Sequence, residues 1–180
     1  MKLAANLPGL LESFFTQRLM SQLQASPHTI ASYRDTFRLL LAYVQNALGK
    51  EPASLALEGV TPELIAAFLD HLEQVRTNSA RSRNVRLAAI RSFFRYAAFQ
   101  EPANGAHIQR ILAIPNKRFE RTLIDFLSRA EIDALLRAPD RNTWAGRRDH
   151  ALLLLAIQTG LRVSELVGLR RTDLVLGTGP

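Results

Sequence analysis

An all-α protein in two helical units is the fold class this sequence predicts, and three observations point there. Apolar residues recur at three- and four-residue spacing along most of the chain. No stretch alternates apolar and polar residues as a half-buried strand does. Helix-start signals stand near the head of several periodic stretches.

The first stretch, Pro8 to Gln24, carries Leu10, Leu11, Phe14, Phe15 and Leu19 at helical spacing. "SPHT" interrupts it, and Thr29 is expected to open a second helix running to about Leu48. Ile30, Tyr33, Phe37, Leu40, Val44 and Leu48 line one side of that helix. Gly49 to Gly59 reads as a loop. "TPEL" then starts a third helix, with Thr61 as N-cap, Pro62 at the first helical position and Glu63 in the first turn. This helix runs to about Gln74, and a fourth runs from Ser79 to about Gln100. Residues 1–104 are therefore expected to form one unit of four or five helices.

Residues 105–122 lose the periodicity, contain Gly105 and Pro115, and carry Arg110, Lys117, Arg118 and Arg121. They read as a basic connector between units. Residues 123–180 form the second unit. Its first helix begins at "SRAE", where Ser128 and Glu131 have capping-box spacing, and ends near Arg137. A second helix, "HALLLLAIQTG", is stopped by Gly160, and "VSELVGL" adds one or two turns. Ala151 to Ile157 is apolar all round and demands cover on most sides. So few further residues cannot supply it, and the unit reads as the truncated start of a larger domain.

Composition narrows the chemistry. The chain has no cysteine, which excludes disulfides and thiolate metal sites. His28, His71, His107 and His150 show no ligand spacing, so no metal and no other cofactor is expected. Asn6, Pro8, Gly9 and Glu12 break the N-terminal apolar run, which reads as a helix start and not a leader. The longest apolar run is too short for a bilayer, so a cytoplasmic protein without a membrane partner is expected. The net charge of +7 is built from 20 Arg and only 3 Lys. Arginine in such excess favours planar, bidentate contacts to phosphate or carboxylate.

The charges cluster. Arg76 to Gln100 holds six Arg and neither Asp nor Glu. On a helix, Leu87, Ile90, Phe93, Phe94 and Ala97 form the buried stripe, while Arg81, Asn84, Arg91 and Arg95 share the opposite face. Arg83 and Arg86 project sideways from the first turns. No acid at i±4 compensates the set, and such a helix suits a major groove. The plainer reading, a solvated basic face, carries weight for any lone charge run. The second helix adds Arg34 and Arg38, with His28 and Thr29 near its start, where backbone N–H groups can meet a phosphate or Thr29 can simply cap. Lys117, Arg118 and Arg121 can follow a DNA backbone or keep a connector solvated.

"TGLRVSEL" raises a different question. Gly160 stops one helix, Leu161 turns inward, and Arg162 stands at the N-terminus of the next, where an oxyanion is favoured. Glu165, one turn on, can orient the guanidinium. A purely structural Arg–Glu pair has the same spacing.

"TGLRVSELVGL" resembles the first catalytic box of tyrosine recombinases, the phage-integrase family. "RRDHALLLLAIQTG" is similar to that family's helix leading into the box, and "LSRAEIDALL" to the start of its catalytic domain. "SPHTIASYRDTFRLLLAYV", "TPELIAAFLDHL" and "RSRNVRLAAIRSFFRYAAF" resemble its SAM-like core-binding domain. The resemblance implies duplex DNA as partner, with further copies of a recombinase on it, and no small-molecule substrate. It implies that Arg162 binds the scissile phosphate with Glu165 supporting it. It also implies metal-free strand cleavage through a 3′-phosphotyrosine. The family's β-hairpin lysine, His-x-x-Arg motif and nucleophilic tyrosine are not placed in this sequence. Tyr33, Tyr43 and Tyr96 read as packing residues, so the 180-residue chain is expected to bind DNA without cutting it. A non-catalytic DNA-binding protein, such as a repressor or truncated competitor, remains the alternative.

Overall fold

Proline starts and polar caps set where the helices begin. The structure is a computed structural model describing residues 6–120 and 125–173. It divides between Arg121 and Thr122 into two units. Among the described residues all regular structure is helical, apart from one isolated bridge between Asn6 and Ala56.

The first unit holds five helices: α1 (Leu7–Ser13), α2 (Pro27–Leu48), α3 (Pro62–Gln74), α4 (Ala80–Gln100) and α5 (Gly105–Leu112). Wide π-type turns over Phe14–Gln22 continue α1. Three caps repeat one device. Ser26, Thr61 and Ser79 each accept a backbone N–H three residues on, from Thr29, Leu64 and Ser82. Helix α2 therefore starts ahead of the expected Thr29, because Ser26 caps it and Pro27 takes the first helical position. Thr29 lies within the first turn, its hydroxyl 3.0 Å from that of Ser26. Gly49 ends α2 at φ 63°, a left-handed conformation that glycine adopts without a Cβ penalty.

An aromatic cluster joins these helices. Phe14 and Phe93 meet edge to face with ring centres 5.6 Å apart, and Phe37 lies 5.4 Å from Phe93. Phe14, Phe93 and Phe94 are fully buried. Each such ring contributes about 2–3 kcal/mol over an exposed one. Tyr33 stacks on Phe14, Tyr96 leans on it, and Tyr43 sits against Phe68 and His71. The three tyrosines pack in this unit.

The expected connector over 105–122 is in its first half a helix of the core. Ile108 and Ile111 of α5 are fully buried, His107 Nε2 bonds the Val60 carbonyl, and Arg110 pairs with Glu63. At 8 residues α5 is barely two turns. It offers too few apolar positions for a helical period to register in the sequence.

The second unit contains α6 (Arg129–Arg137), α7 (Trp144–Thr159) and α8 (Val163–Gly168). Ser128 and Glu131 form the expected capping box. His150 Nδ1 donates to the Leu136 carbonyl at 2.9 Å, tying α7 to α6. Leu152, Leu154 and Ile157 remain 37%, 40% and 37% exposed, so the described residues cover this apolar helix only in part. Gly146 is the buried residue among those described here. A methyl group on it would run into the backbone of Asp140, whose carbonyl also accepts from the Thr143 N–H and hydroxyl. Gly146→Ala should therefore cost the second unit about 1–3 kcal/mol and raise amide exchange along α7 about tenfold or more. Unchanged exchange there would mean that the loop relaxes freely.

Candidate nucleic-acid interface

The basic face of α4 divides in two. Arg81 and Arg95 are exposed. The other arginines expected there are engaged within the protein. Arg86 pairs with Asp35 of α2 at 2.9 Å, with its side chain 21% exposed. Arg83 is buried at 8% exposure and faces Glu73 of α3 at 3.5 Å. Arg91 is half-buried and donates to the Ile114 carbonyl and to Asn116 Oδ1. Burial lowers the Arg91 pKa from its ordinary value, with Arg95 and Arg83 adding repulsion. The expectation of an uncompensated helix is thus corrected. Acids are missing within α4 itself, but α2 and α3 supply them from a distance in sequence.

On α2, His28, Thr29, Arg34 and Arg38 are all exposed. Arg38 reaches back to Asp35 at 2.8 Å and keeps 72% of its side chain in solvent. Asp35 thus bridges Arg38 and Arg86. The hydrogen bond from Arg38, then that from Arg86, hold its carboxyl below the ordinary value of 3.8. Ser32, Asp35, Arg81, Ser82, Val85 and Arg86 line a shallow groove of about 260 Å³ between the two helices. Beyond α5, Lys117 gives its ammonium to Glu73 at 2.9 Å, and Arg118 is exposed. Arg121 lies outside the described residues.

In the second unit, Thr159, Gly160, Arg162 and Glu165 hold the corner between α7 and α8. Thr159 Oγ1 donates to the Leu155 carbonyl and accepts from the Leu161 N–H. Gly160, at φ 66°, ends α7. Arg162 is the N-cap of α8, and its backbone N–H donates to Glu165 Oε2 at 2.8 Å. This is half of a capping box, since a guanidinium cannot accept the reciprocal bond. Arg162 Nη1 also donates to Glu165 Oε1 at 3.2 Å. The Arg162 side chain is 83% exposed. The carboxylate steadies one edge of the guanidinium and leaves the rest to solvent.

Residues 13–101 match the phage integrase N-terminal SAM-like domain. A Sinorhizobium fredii protein named integrase/recombinase y4rC is 64% identical over 97% of this chain and 53% of its own length. The tyrosine recombinase XerC of Pelotomaculum thermopropionicum is 33% identical over 92% of this chain and 53% of its own. The chain belongs to the phage-integrase family of tyrosine recombinases. XerD of Shewanella oneidensis, 33% identical over 92% of the chain, is a further relative. The chain spans about half the length of those relatives. No solved structure matches it. Among the described residues no helix is long and apolar enough to cross a membrane.

Sequence reasoning overlooked three participants of the family's first domain in this chain. Asp35 and Glu73 look like ordinary surface acids in the sequence. Asn84 shares the arginine face of α4 in the sequence and its role does not show there, because its amide is spent on the backbone of Lys117.

Proposed function

We propose that this chain is the DNA-binding portion of a site-specific recombinase. One observation carries the reading: the fold ties down Arg83, Arg86 and Arg91 internally, while Arg34, Arg38, Arg81 and Arg95 stay exposed on α2 and α4. These exposed groups, with Arg118, are the phosphate and base contacts of the proposal, and His28 and Thr29 meet a phosphate at the start of α2. Lys117, once released from Glu73, and Arg121 follow the DNA backbone in this reading. Arg162 holds the scissile phosphate, with Glu165 fixing its orientation. Arginine there stabilises charge developing on phosphorus, a preorganised contribution that usually dominates such reactions. Cleavage in this reading proceeds through a 3′-phosphotyrosine. Further recombinase copies on the same DNA are the partners, and the cytoplasm is the compartment.

Duplex binding should fall steeply as salt rises. Arg81→Ala with Arg95→Ala should weaken it and flatten the slope of log K against log salt by about 2, close to one counterion per lost contact. Arg83→Ala should leave the slope unchanged, because its guanidinium is inside. A double variant with the wild-type slope would remove this face from the interface.

A further inference from the structure

The segment following α5 is fastened to the first unit by side chains from two helices. Asn84 of α4 treats Lys117 as a strand partner would. Its Nδ2 donates to the Lys117 carbonyl at 2.7 Å, and its Oδ1 accepts the Lys117 N–H at 2.9 Å. One turn or two along the same helix, Arg91 donates to the Ile114 carbonyl and to Asn116 Oδ1. Glu73 of α3 accepts from the Lys117 ammonium through both oxygens, at 2.9 and 3.0 Å. Ile114 itself is buried at 8% exposure. These contacts span 23 to 44 residues of sequence, so they do not follow from local chain geometry.

Each contact uses a group that local structure did not require. Asn84 is not a cap, and a helix interior gains little from asparagine. Arg91 is drawn into partial burial, and its Nε has no hydrogen-bond partner among the described residues. That desolvation is unfavourable unless the bonds at its other end offset it.

We propose that Asn84 and Arg91 are positioning residues: they clasp residues 114–117 to α4 and fix the point from which the chain leaves toward the catalytic half. This rests on the reading that both units grip one DNA. With the clasp shut, the stretch between the last clasped residue, Lys117, and the cap of α6 at Ser128 can span at most about 35–40 Å. With it open, that stretch begins at Ala113 and can span at most about 50 Å. A longer, undirected tether lowers the effective concentration of the second unit at its phosphate. The clasp also keeps the Lys117 ammonium on Glu73 in the unbound protein.

The test uses the whole chain with two readouts. Without DNA, hydrogen exchange follows the Lys117 amide, which donates to Asn84. Asn84→Ala should speed it about tenfold or more while Leu87 and Ile90 keep their protection. Asn84→Asp keeps the acceptor and loses the donor, so it should fall between. With a duplex selected from a random pool by its binding to the chain, hydroxyl-radical footprinting reads each unit's contacts separately. Asn84→Ala should preserve the protection given by α2 and α4 and weaken that given by the second unit by up to about twofold. A Lys117 amide that already exchanges freely in the wild type overturns the clasp. Fast exchange in Asn84→Ala with an unaltered footprint overturns its positioning role alone. A wild-type chain that leaves no footprint overturns the DNA-binding reading, and the positioning role falls with it.

Discussion

Glu73→Ala should cost the first unit about 3–5 kcal/mol, far more than a surface carboxylate is normally worth. The Glu73 side chain is 16% exposed and that of Arg83 only 10%. Arg83 Nε lies 3.5 Å from Glu73 Oε2, too far for a good hydrogen bond, and its Nη1 has no partner among the described residues. Glu73 is thus the main compensation for a charge held largely out of water. Removing it strands the guanidinium and also releases Lys117. Urea unfolding of the whole chain measures the loss, read on far-UV signal and on amides of α3 and α4. The companion variant decides the mechanism. Arg83→Met in the Glu73→Ala background should recover most of the stability, since an apolar side chain suits the vacated site better than an unpaired charge. If Glu73→Ala costs under about 1 kcal/mol, Arg83 finds water or another anion, and the buried-pair account is wrong.

This pair shows where reading the sequence stops. The helices themselves were legible because their signals are local: Thr61-Pro62-Glu63, Ser128 with Glu131, Gly160 after the apolar run. The fold class followed from them, and so did the family, through "TGLRVSEL". Helix α5 was missed because two buried isoleucines in a short helix make no period. Arg83 was misplaced for a different reason. Along α4 it is one arginine among several, and nothing nearby marks it as inward. Its partner sits ten positions earlier on another helix, and the pairing exists only once α3 and α4 pack. Asp35 with Arg86 and Asn84 with Lys117 are hidden in the same way. Exposed arginine is a property of sequence plus fold, so a count of basic residues overstates the surface that can meet phosphate.

Arg162→Ala should reduce strand cleavage about a thousandfold or more when the chain is joined to the remaining half that its longer relatives carry, while changing duplex affinity only a few-fold. The structural argument separates these two effects. The start of α8 is held by the backbone N–H of Arg162 on Glu165 Oε2, and alanine keeps that N–H. The turn before it is held by Thr159 and by Gly160 in its left-handed conformation, through bonds that do not involve the Arg162 side chain. The corner should therefore survive the substitution. What disappears is a guanidinium that stands mostly in solvent and donates to one carboxylate oxygen at 3.2 Å. An exposed i,i+3 pair of this kind contributes little to stability, so its loss should barely move unfolding. Affinity should hold because Arg34, Arg38, Arg81 and Arg95 supply most of the proposed phosphate contacts from the first unit. Cleavage is read as covalent protein–DNA adduct on a nicked crossover substrate, and affinity by titration of the same duplex at fixed salt. Arg162→Lys sharpens the test. It restores a charge but neither the planar fork nor the fit to Glu165, so cleavage should recover only in small part. If affinity collapses with Arg162→Ala, the residue is a DNA anchor. If the protein unfolds, it is a structural pair. If cleavage persists at the wild-type rate, the guanidinium does not meet the reacting phosphate.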